Sequence, residues 1–194
     1  MKIGIFGGTF NPIHNGHLIN GQHILEQFNL DKIVYIPSKV PVHKKLADDI
    51  SPSLRLNLVN LAIKENPHFE SSSIEIDRTT FSYTIETIEQ LASLYNIEDL
   101  YLIIGADSLN TIDKWKSYKD IINQVKIIVM RRPGDENLRN DILDMAREIK
   151  IADNPLIEIS SSMIRNYIKD KRNIQYLVPE SVNKEIIEKE MYTL

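Results

Sequence analysis

The sequence predicts an α/β fold in which a mostly parallel sheet carries helices on both faces. Short apolar runs alternate along the chain with longer amphipathic stretches, and strands that alternate with helices form parallel sheets. Polar segments rich in glycine, serine and arginine follow these apolar runs, as is typical of sheets that bind ligands at the carboxyl ends of their strands. With 194 residues, the chain is long enough for one domain with a sizeable core.

The first half of the chain predicts three strands and three helices. Leu18, Ile24 and Leu25 fall near one side of the first helix. Ser51 and Pro52 suit the N-cap and the first residue of the second helix. The predicted strands are 2–6, 32–36 and 73–76, and the predicted helices are 16–28, 51–64 and 82–95.

The second half continues this alternation. Residues 100–104 and 126–130 are apolar runs typical of strands buried on both faces, and a short strand is predicted at 156–159. Helices are predicted at 136–147, 161–169 and 179–190. We therefore expect a single domain over 1–194, a Rossmann-like doubly wound parallel sheet with a small C-terminal helical region, about 160–194, packed on it.

Composition narrows the class of function. The net charge of −4 and the pI near 5.8 argue against broad nucleic-acid or membrane binding. The absence of cysteine excludes disulfides, thiolate metal sites and thiol catalysis. There is no membrane-length apolar run and no signal-peptide pattern, so a cytoplasmic location is predicted. Small molecules are the expected partners, and residues 136–150 and the C-terminal helix are candidate surfaces for a homo-oligomer.

The run from Gly7 to His17, GGTFNPIHNGH, carries the strongest functional signal. Gly7 and Gly8 let the backbone turn and approach a ligand without a Cβ, and the following helix directs its N-terminal amides at that space. His14 and His17 are three residues apart, so both can donate hydrogen bonds to phosphate. The alternative interpretation is a plain strand-to-helix turn with two surface histidines. The run is neither a dinucleotide fingerprint nor a Walker A loop, and a zinc site would lack a third ligand nearby.

A second signal lies in the run from Ile159 to Arg165, ISSSMIR. Serines at a helix start cap free amides, which alone would explain them. However, Arg165 falls one turn into the helix on the face of the leading serines. Hydroxyls, amides and a guanidinium can then converge on a polyphosphate. The residues alone leave both interpretations open.

Other polar residues follow the remaining strands. Gly105 and Asp107 come after the central apolar strand, Arg131 and Arg132 after the next, and residues 41–45 beyond the second. Because ligands bind at the carboxyl ends of parallel strands, we expect these residues near the two signals above.

The two runs resemble the signatures of the nucleotidyltransferase superfamily with a T/HxGH motif near its N-terminus, and within it the bacterial nicotinate mononucleotide adenylyltransferases. The resemblance covers nearly the whole chain in the family's order. Two departures are mild, since Asn11 and Glu86 stand where the family frequently has Asp. Further matching segments are VPVHK at 40–44, SYT at 82–84, GADSL at 105–109, Trp115, RRPG at 131–134 and YLVP at 176–179.

The resemblance implies transfer of the adenylyl group of MgATP to nicotinate mononucleotide in NAD biosynthesis, without a covalent enzyme intermediate. ATP is then a co-substrate, and Mg²⁺ is bound mainly through ATP oxygens rather than by a protein metal site. The implied catalytic residues are His14, His17, Lys44 and Arg165. The implied ATP-binding residues are Gly7, Gly8, Thr9, Phe10, His14, His17, Gly105, Asp107, Ser161, Ser162 and Arg165.

For the acceptor, the resemblance implies that Trp115 stacks on the pyridine ring and that amides at Ser82–Thr84 take the nicotinate carboxylate. The implied acceptor-binding residues are Thr9, Lys44, Ser82, Tyr83, Thr84, Trp115 and Arg132. Packing explains Trp115 equally simply, and helix capping explains Ser82.

Several other functions stay open at this point. Sibling enzymes act on nicotinamide mononucleotide or phosphopantetheine, and the preference for acid or amide is not readable from composition. A non-catalytic nucleotide sensor could use the same fold. An RNA-binding or tRNA-charging protein shares part of the histidine motif, but the short, negatively charged chain disfavours it.

Overall fold

A sheet of six parallel strands in the order β3-β2-β1-β4-β5-β6 forms the centre of the computed structural model. The structure describes residues 1–39, 50–79, 81–95, 99–131, 139–146 and 148–193. The strands are β1 (Lys2–Gly8), β2 (Lys32–Pro37), β3 (Phe69–Ser71), β4 (Asp99–Gly105), β5 (Lys126–Met130) and β6 (Ile149–Ile151). The predicted fold class is confirmed.

Helices cover both faces of this sheet. They are α1 (Asn15–Gln27), α2 (Pro52–Ile63), α3 (Thr84–Leu94), α4 (Ala106–Leu109), α5 (Tyr118–Gln124), α6 (Asn140–Met145), α7 (Ser161–Lys169) and α8 (Glu180–Glu188). A 3₁₀ helix spans Ile112–Lys114. The sequence did not predict α4, α5 or the 3₁₀ helix, which are short and so give little periodic signal. No helix within the described ranges is long and apolar enough to cross a bilayer.

The alternation of side chains along each strand divides the core into two apolar layers. On β1, Ile3 and Ile5 face the layer that holds α3 to α6, whereas Phe6 faces the layer that holds α1, α2, α7 and α8. Successive strand residues point to opposite faces, so the apolar runs of β1, β2, β4 and β5 fill both layers at once. This explains why these strands are continuously apolar instead of alternating with polar residues.

The strand order determines where a ligand can bind. The chain leaves β1 toward β2 and β3 on one side and returns to β4 on the other, so β1 and β4 lie side by side at the centre. In a doubly wound sheet the crevice outside the carboxyl ends of two such strands is the binding position. Gly8 and Gly105 end these two strands.

The predicted strand at 73–76 is wrong. Those residues form a turn closed by a 2.9 Å hydrogen bond from the N–H of Asp77 to the carbonyl of Ser73. Strand β3 lies a few residues earlier, where Phe69 pairs with Ile33. The Ser-Ile-Glu-Ile alternation misled because Glu75 is buried, where its carboxylate accepts a 2.8 Å hydrogen bond from Thr87 Oγ1.

The predicted strand at 156–159 is also wrong. The sixth strand is Ile149–Ile151, which pairs with β5, and residues 152–160 have no regular secondary structure. The buried side chain of Asn154 makes the next hydrogen bonds beyond the C-terminal end of β5, in place of a neighbouring strand. Its side chain accepts from the N–H of Arg131 at 2.9 Å and donates to the Arg131 carbonyl at 3.0 Å.

Most other predicted boundaries hold within one or two residues. Ser51 caps α2 by accepting from the N–H of Leu54, as predicted. Helix α6 lies inside the predicted 136–147, of which residues 136–138 and 147 are outside the described ranges. At the C-terminus α8 packs on α2, since Ser181 Oγ donates to the Leu61 carbonyl at 2.9 Å.

Candidate active site

The loop after β1 leaves room for a ligand at one of its two glycines. A Cβ built on Gly7, which is exposed, would meet no atom within 4 Å. A Cβ on Gly8 would lie 3.0 Å from the ring of Phe10, which is buried with a φ of 48°. A side chain at position 8 would therefore press on the Phe10 ring, which favours glycine there. Nothing in the described protein requires glycine at position 7, which is consistent with a backbone that a ligand approaches.

His14 and His17 lie together at the start of α1. Their rings stack with centroids 3.6 Å apart, and His14 is buried as the N-cap. His17 Nδ1 accepts a 3.2 Å hydrogen bond from the His14 N–H. A neutral imidazole that accepts at Nδ1 carries its proton on Nε2, so His17 can offer Nε2–H to an anion.

Gly16 leaves space for the His14 ring of this stack. A Cβ at this position would lie 3.1 Å from His14 Nδ1 and 3.4 Å from Ile157 Cγ2. A side chain there would press on the His14 ring, which would have to shift by a few tenths of an ångström. The Gly-His pair of the motif is thus one packing unit, with the glycine making space for the first histidine.

The start of α7 reaches the same loop from the other side. Ser160 caps the helix by accepting from the Met163 N–H at 3.2 Å. Ser161 Oγ donates to the Pro12 carbonyl at 2.8 Å. Arg165 Nη1 donates to the Asn11 carbonyl at 2.8 Å, and its Nη2 lies 3.3 Å from Ser162 Oγ. The structure thus brings the two predicted motifs together, and it confirms capping for Ser160.

Two further residues anchor the same loop and were missed by the sequence analysis. The Tyr192 hydroxyl donates to Asn11 Oδ1 at 2.9 Å, in a fully buried contact. Arg55, on α2, donates to the Thr9 carbonyl at 2.6 Å. One signal could have found Arg55, since its i+3 and i+4 neighbours Leu58 and Val59 are apolar and place it on the buried face of the helix.

The segment predicted to bind the acceptor, residues 82–84, has a local structure that differs from the predicted one. Helix α3 starts at Thr84 with Tyr83 as its N-cap, and no side chain caps it. Ser82 does not cap the helix. Its hydroxyl instead accepts a 3.0 Å hydrogen bond from the N–H of Lys39, just beyond β2. The capping interpretation of Ser82 is therefore wrong, and Ser82 links α3 to the loop after β2.

Trp115 follows the 3₁₀ helix and lies near the start of α3. The next residue, Lys116, places its Nζ 4.2 Å from the Tyr83 ring centroid and 2.8 Å from Glu86 Oε1. Bonding to Glu86 is the main cause that raises the pKa of Lys116, so this residue is cationic at neutral pH. Trp115 itself is half-buried against the apolar layer of α3 to α6.

The remaining predicted site residues lie at the carboxyl ends of the strands or outside the described ranges. Gly105 ends β4 as the N-cap of α4, and Asp107 is exposed in the first turn of that helix. Arg131 is exposed directly after β5. Lys44 and Arg132 lie outside the described residues. Within the described part of the chain, no three His, Asp or Glu side chains are grouped as metal ligands.

Known proteins with similar sequences share one activity in their names. Residues 5–167 match the family described as cytidylyltransferase-like. Nicotinate-nucleotide adenylyltransferase from Bacillus subtilis (strain 168) is 37% identical, over 98% of each chain. A probable nicotinate-nucleotide adenylyltransferase from Dictyoglomus turgidum is 40% identical, over 99% of this chain and 96% of its own.

The fold also matches solved structures. Plasmodium falciparum nicotinic acid mononucleotide adenylyltransferase complexed with NaAD superposes with a TM-score of 0.79, over 98% of this chain and 97% of its own, at 18% identity. A second structure of the Plasmodium falciparum nicotinic acid mononucleotide adenylyltransferase, complexed with APC, gives a TM-score of 0.80 at 17% identity, over 98% and 96% of the two chains. At such identities the likeness concerns the fold.

Proposed function

The chain belongs to the cytidylyltransferase-like family, and from that premise we propose that it transfers the adenylyl group of MgATP to nicotinate mononucleotide. The products are nicotinate adenine dinucleotide and pyrophosphate, which places the reaction in NAD biosynthesis. The observation that carries the proposal is the convergence of the His14–His17 pair and the Ser161–Arg165 segment on one loop. Hydroxyl, imidazole and guanidinium donors so arranged suit a polyphosphate.

The chemistry requires positioning more than covalent participation by the protein. The phosphate of the mononucleotide is itself the nucleophile, and it attacks the α-phosphorus of ATP in line while pyrophosphate leaves. Two anions must therefore approach each other, and negative charge grows on the leaving group. Magnesium enters with ATP and neutralises part of the phosphate charge through oxygen ligands.

The residues on the ATP side have separable roles in this proposal. Gly7 gives the triphosphate close access to the backbone, and the N-terminal end of α1 favours negative charge at this position. His17 donates through Nε2 to the reacting phosphates, where charge develops in the transition state. Ser162 and Arg165 hold the β- and γ-phosphates from the opposite side.

The acceptor residues form the other half. The first turn of α3, which no side chain caps, begins at Thr84 and presents amides suited to the nicotinate carboxylate, while the Tyr83 N–H itself donates to the Phe81 carbonyl at 3.0 Å. Trp115 stacks on the pyridine ring, and its half-buried position leaves the indole partly accessible. Lys44 draws the two anionic substrates together, and Arg132 reaches the bound nucleotide. Asp107 accepts from a ribose hydroxyl, and residues 1–194 act as one domain.

Pyrophosphate release from MgATP tests this function. The wild-type protein is assayed in parallel with nicotinate mononucleotide, nicotinamide mononucleotide and phosphopantetheine at equal concentrations. We expect turnover with the nicotinate acceptor to exceed turnover with the other two by about a hundredfold. Preferred turnover of another acceptor would reassign the substrate within the same family. ATP binding with no turnover on any of the three would instead indicate a nucleotide sensor.

A further inference from the structure

Arg55 is a buried cation that binds backbone carbonyls of two separate loops. It lies on α2 with none of its surface exposed. One guanidinium nitrogen, Nη1, donates to the Thr9 carbonyl at 2.6 Å in the loop after β1. The other, Nη2, donates to the Ser38 carbonyl at 2.7 Å and the Lys39 carbonyl at 3.2 Å in the loop after β2. Burying a charge costs free energy unless it is hydrogen-bonded, so these contacts hold both loops firmly.

The peptide unit between Ser38 and Lys39 carries this constraint to the acceptor side. In a trans peptide the C=O and the N–H point in opposite directions. The carbonyl of this unit accepts from Arg55, and its N–H donates to Ser82 Oγ at 3.0 Å. The peptide therefore lies between the guanidinium and the serine hydroxyl. Ser82 directly precedes the proposed carboxylate-binding turn, so the position of that turn depends on Arg55.

The peptide unit between Thr9 and Phe10 carries the same constraint to the ATP side. Its carbonyl accepts from Arg55, so the Phe10 N–H points away from the guanidinium. The positive φ of Phe10 and the buried packing of its ring fix the plane of this peptide further. The orientation of a backbone donor beside Gly7 and Gly8 is thus determined by a side chain from another helix.

We propose that Arg55 is a positioning residue that sets the distance between the ATP-binding loop and the acceptor-binding segment. It touches neither substrate and acts through Thr9 on one side and through Ser38, Lys39 and Ser82 on the other. The inference rests on the proposed function, because it names two substrates that must be held in register for in-line attack. Small displacements of reacting groups cost large factors in rate, which is why one residue should hold both loops.

Lysine cannot replace arginine in this role. A guanidinium is a planar fork that donates in several fixed directions, whereas an ammonium is a single point on a flexible stem. Arg55→Lys keeps the charge and most of the volume but cannot reach Thr9 and Ser38 together. The substitution therefore separates the positive charge from the geometry, and both loops lose their fixed position because the ammonium can hold only one of them at a time.

The test measures kcat, both KM values and the melting temperature for Arg55→Lys, Ser82→Ala and the double variant. We expect Arg55→Lys to raise both KM values and lower kcat, each by about tenfold, in protein that is folded at the assay temperature. Ser82→Ala should raise the KM of the acceptor alone. In the double variant the acceptor KM should match that of Arg55→Lys, because both changes release the same peptide. Arg172→Lys is the matched control, since Arg172 stacks on Tyr167 beyond α7.

Several outcomes would overturn the proposal. A lowered melting temperature with both KM values within about twofold of wild type would make Arg55 a stability residue only. Additive effects in the double variant would show that Arg55 and Ser82 act separately. If Arg55→Lys does not fold, Ser82→Ala alone decides, and an unchanged acceptor KM would refute the link to α3.

The same experiment separates this inference from the proposed function. Absence of turnover by the wild-type protein would refute the function and leave the positioning question open to binding measurements. Calorimetric titration with MgATP then compares wild type with Arg55→Lys directly. A dissociation constant raised about tenfold in the variant would support positioning of the ATP loop, and an equal constant would overturn it.

Discussion

Arg165 donates a 2.8 Å hydrogen bond to the carbonyl oxygen of Asn11, across 154 positions of the sequence. This contact joins the start of α7 to the loop after β1, and Ser161 supports it by bonding Pro12. One guanidinium nitrogen holds the loop while the other lies beside the Ser162 hydroxyl. Arg165 therefore builds the site, and in the proposed function it also binds phosphate there.

Arg165→Ala should lower kcat/KM for ATP by about 10²–10³-fold, because it removes a charge-assisted donor and releases the loop. Arg165→Lys should recover less than about a tenth of the lost kcat/KM, since lysine cannot contact Asn11 and a phosphate at once. Steady-state kinetics with varied ATP gives the measurement. Arg172→Ala serves as control and should leave kcat/KM unchanged. If Arg165→Lys is fully active, a simple positive charge is sufficient and the two-sided role is wrong.

His17→Ala should reduce kcat by about 10²-fold while changing the acceptor KM little, because the Nε2–H donor acts mainly on transition-state charge. Initial rates over a grid of both substrates separate the two constants. His68→Ala is the control, since His68 is exposed and its Nδ1 lies 3.0 Å from the Asp31 carbonyl, beside β2. An unchanged kcat in His17→Ala would refute the role of this histidine.

Gly7→Ala should raise the KM of ATP by about tenfold and leave the free energy of unfolding within about 0.5 kcal/mol of wild type. The added methyl meets open space in the protein and would meet the bound phosphates instead. Gly8→Ala should instead lower the free energy of unfolding. Its methyl would press on the Phe10 ring and cost about 1–3 kcal/mol. Urea unfolding and ATP titrations on both variants provide the comparison. Equal ATP binding by wild type and Gly7→Ala would mean that no ligand approaches this residue.

Trp115→Ala should raise the KM of nicotinate mononucleotide by about tenfold with less effect on that of ATP. Trp115→Phe keeps an aromatic face and should restore most of the affinity. Trp115 is the only tryptophan in the sequence, so quenching of its fluorescence by the acceptor gives an independent measure of acceptor binding in the wild-type protein. Equal effects of Trp115→Ala on both substrates would remove the stacking proposal and leave packing as its role.

Glu70 should make stability depend on pH in the acid range. Partial burial acts to raise its pKa, but hydrogen bonds from Lys32 and Tyr95 and the charge of Lys32 hold the pKa below the usual 4.5. Because the folded pKa is lowered, the carboxylate stabilises the protein above the unfolded pKa, and this contribution is lost as pH falls through the folded pKa.

Glu70→Gln should therefore cost about 0.5 kcal/mol near pH 7, a small value because the side chain is partly exposed, and progressively less below the usual carboxyl pKa. Urea unfolding from about pH 3 to about pH 7 measures the difference in the free energy of unfolding between wild type and Glu70→Gln. Glu180→Gln is the control, since Glu180 forms a more exposed pair with Lys184 and should show a smaller effect. A constant difference over the whole range would assign the stabilisation to packing rather than charge.

Local patterns explain which elements the sequence predicts well. The runs of β1, β2, β4 and β5 are continuously apolar because helices cover both faces of the sheet, and such runs are recognisable without tertiary information. Ser51 and Ser160 cap helices through contacts within three residues, so they too are readable. The failures lie just after the edge strands β3 and β6, where buried Glu75 bonds Thr87 from inside a turn and Asn154 bonds the backbone of Arg131 in place of a strand.

Residues close together along the chain were enough to predict the fold class, the strand-to-helix glycine motif and the two runs expected to bind phosphate. The folded structure was needed to show that Arg165 meets Asn11, that Arg55 joins the loops of Thr9 and Ser38, and that Ser82 bonds Lys39. Such contacts depend on the order of strands in the sheet and on the direction of each peptide plane. Hydrophobic periodicity carries no information about either, since it records burial and not which distant backbone carbonyl a buried donor will find.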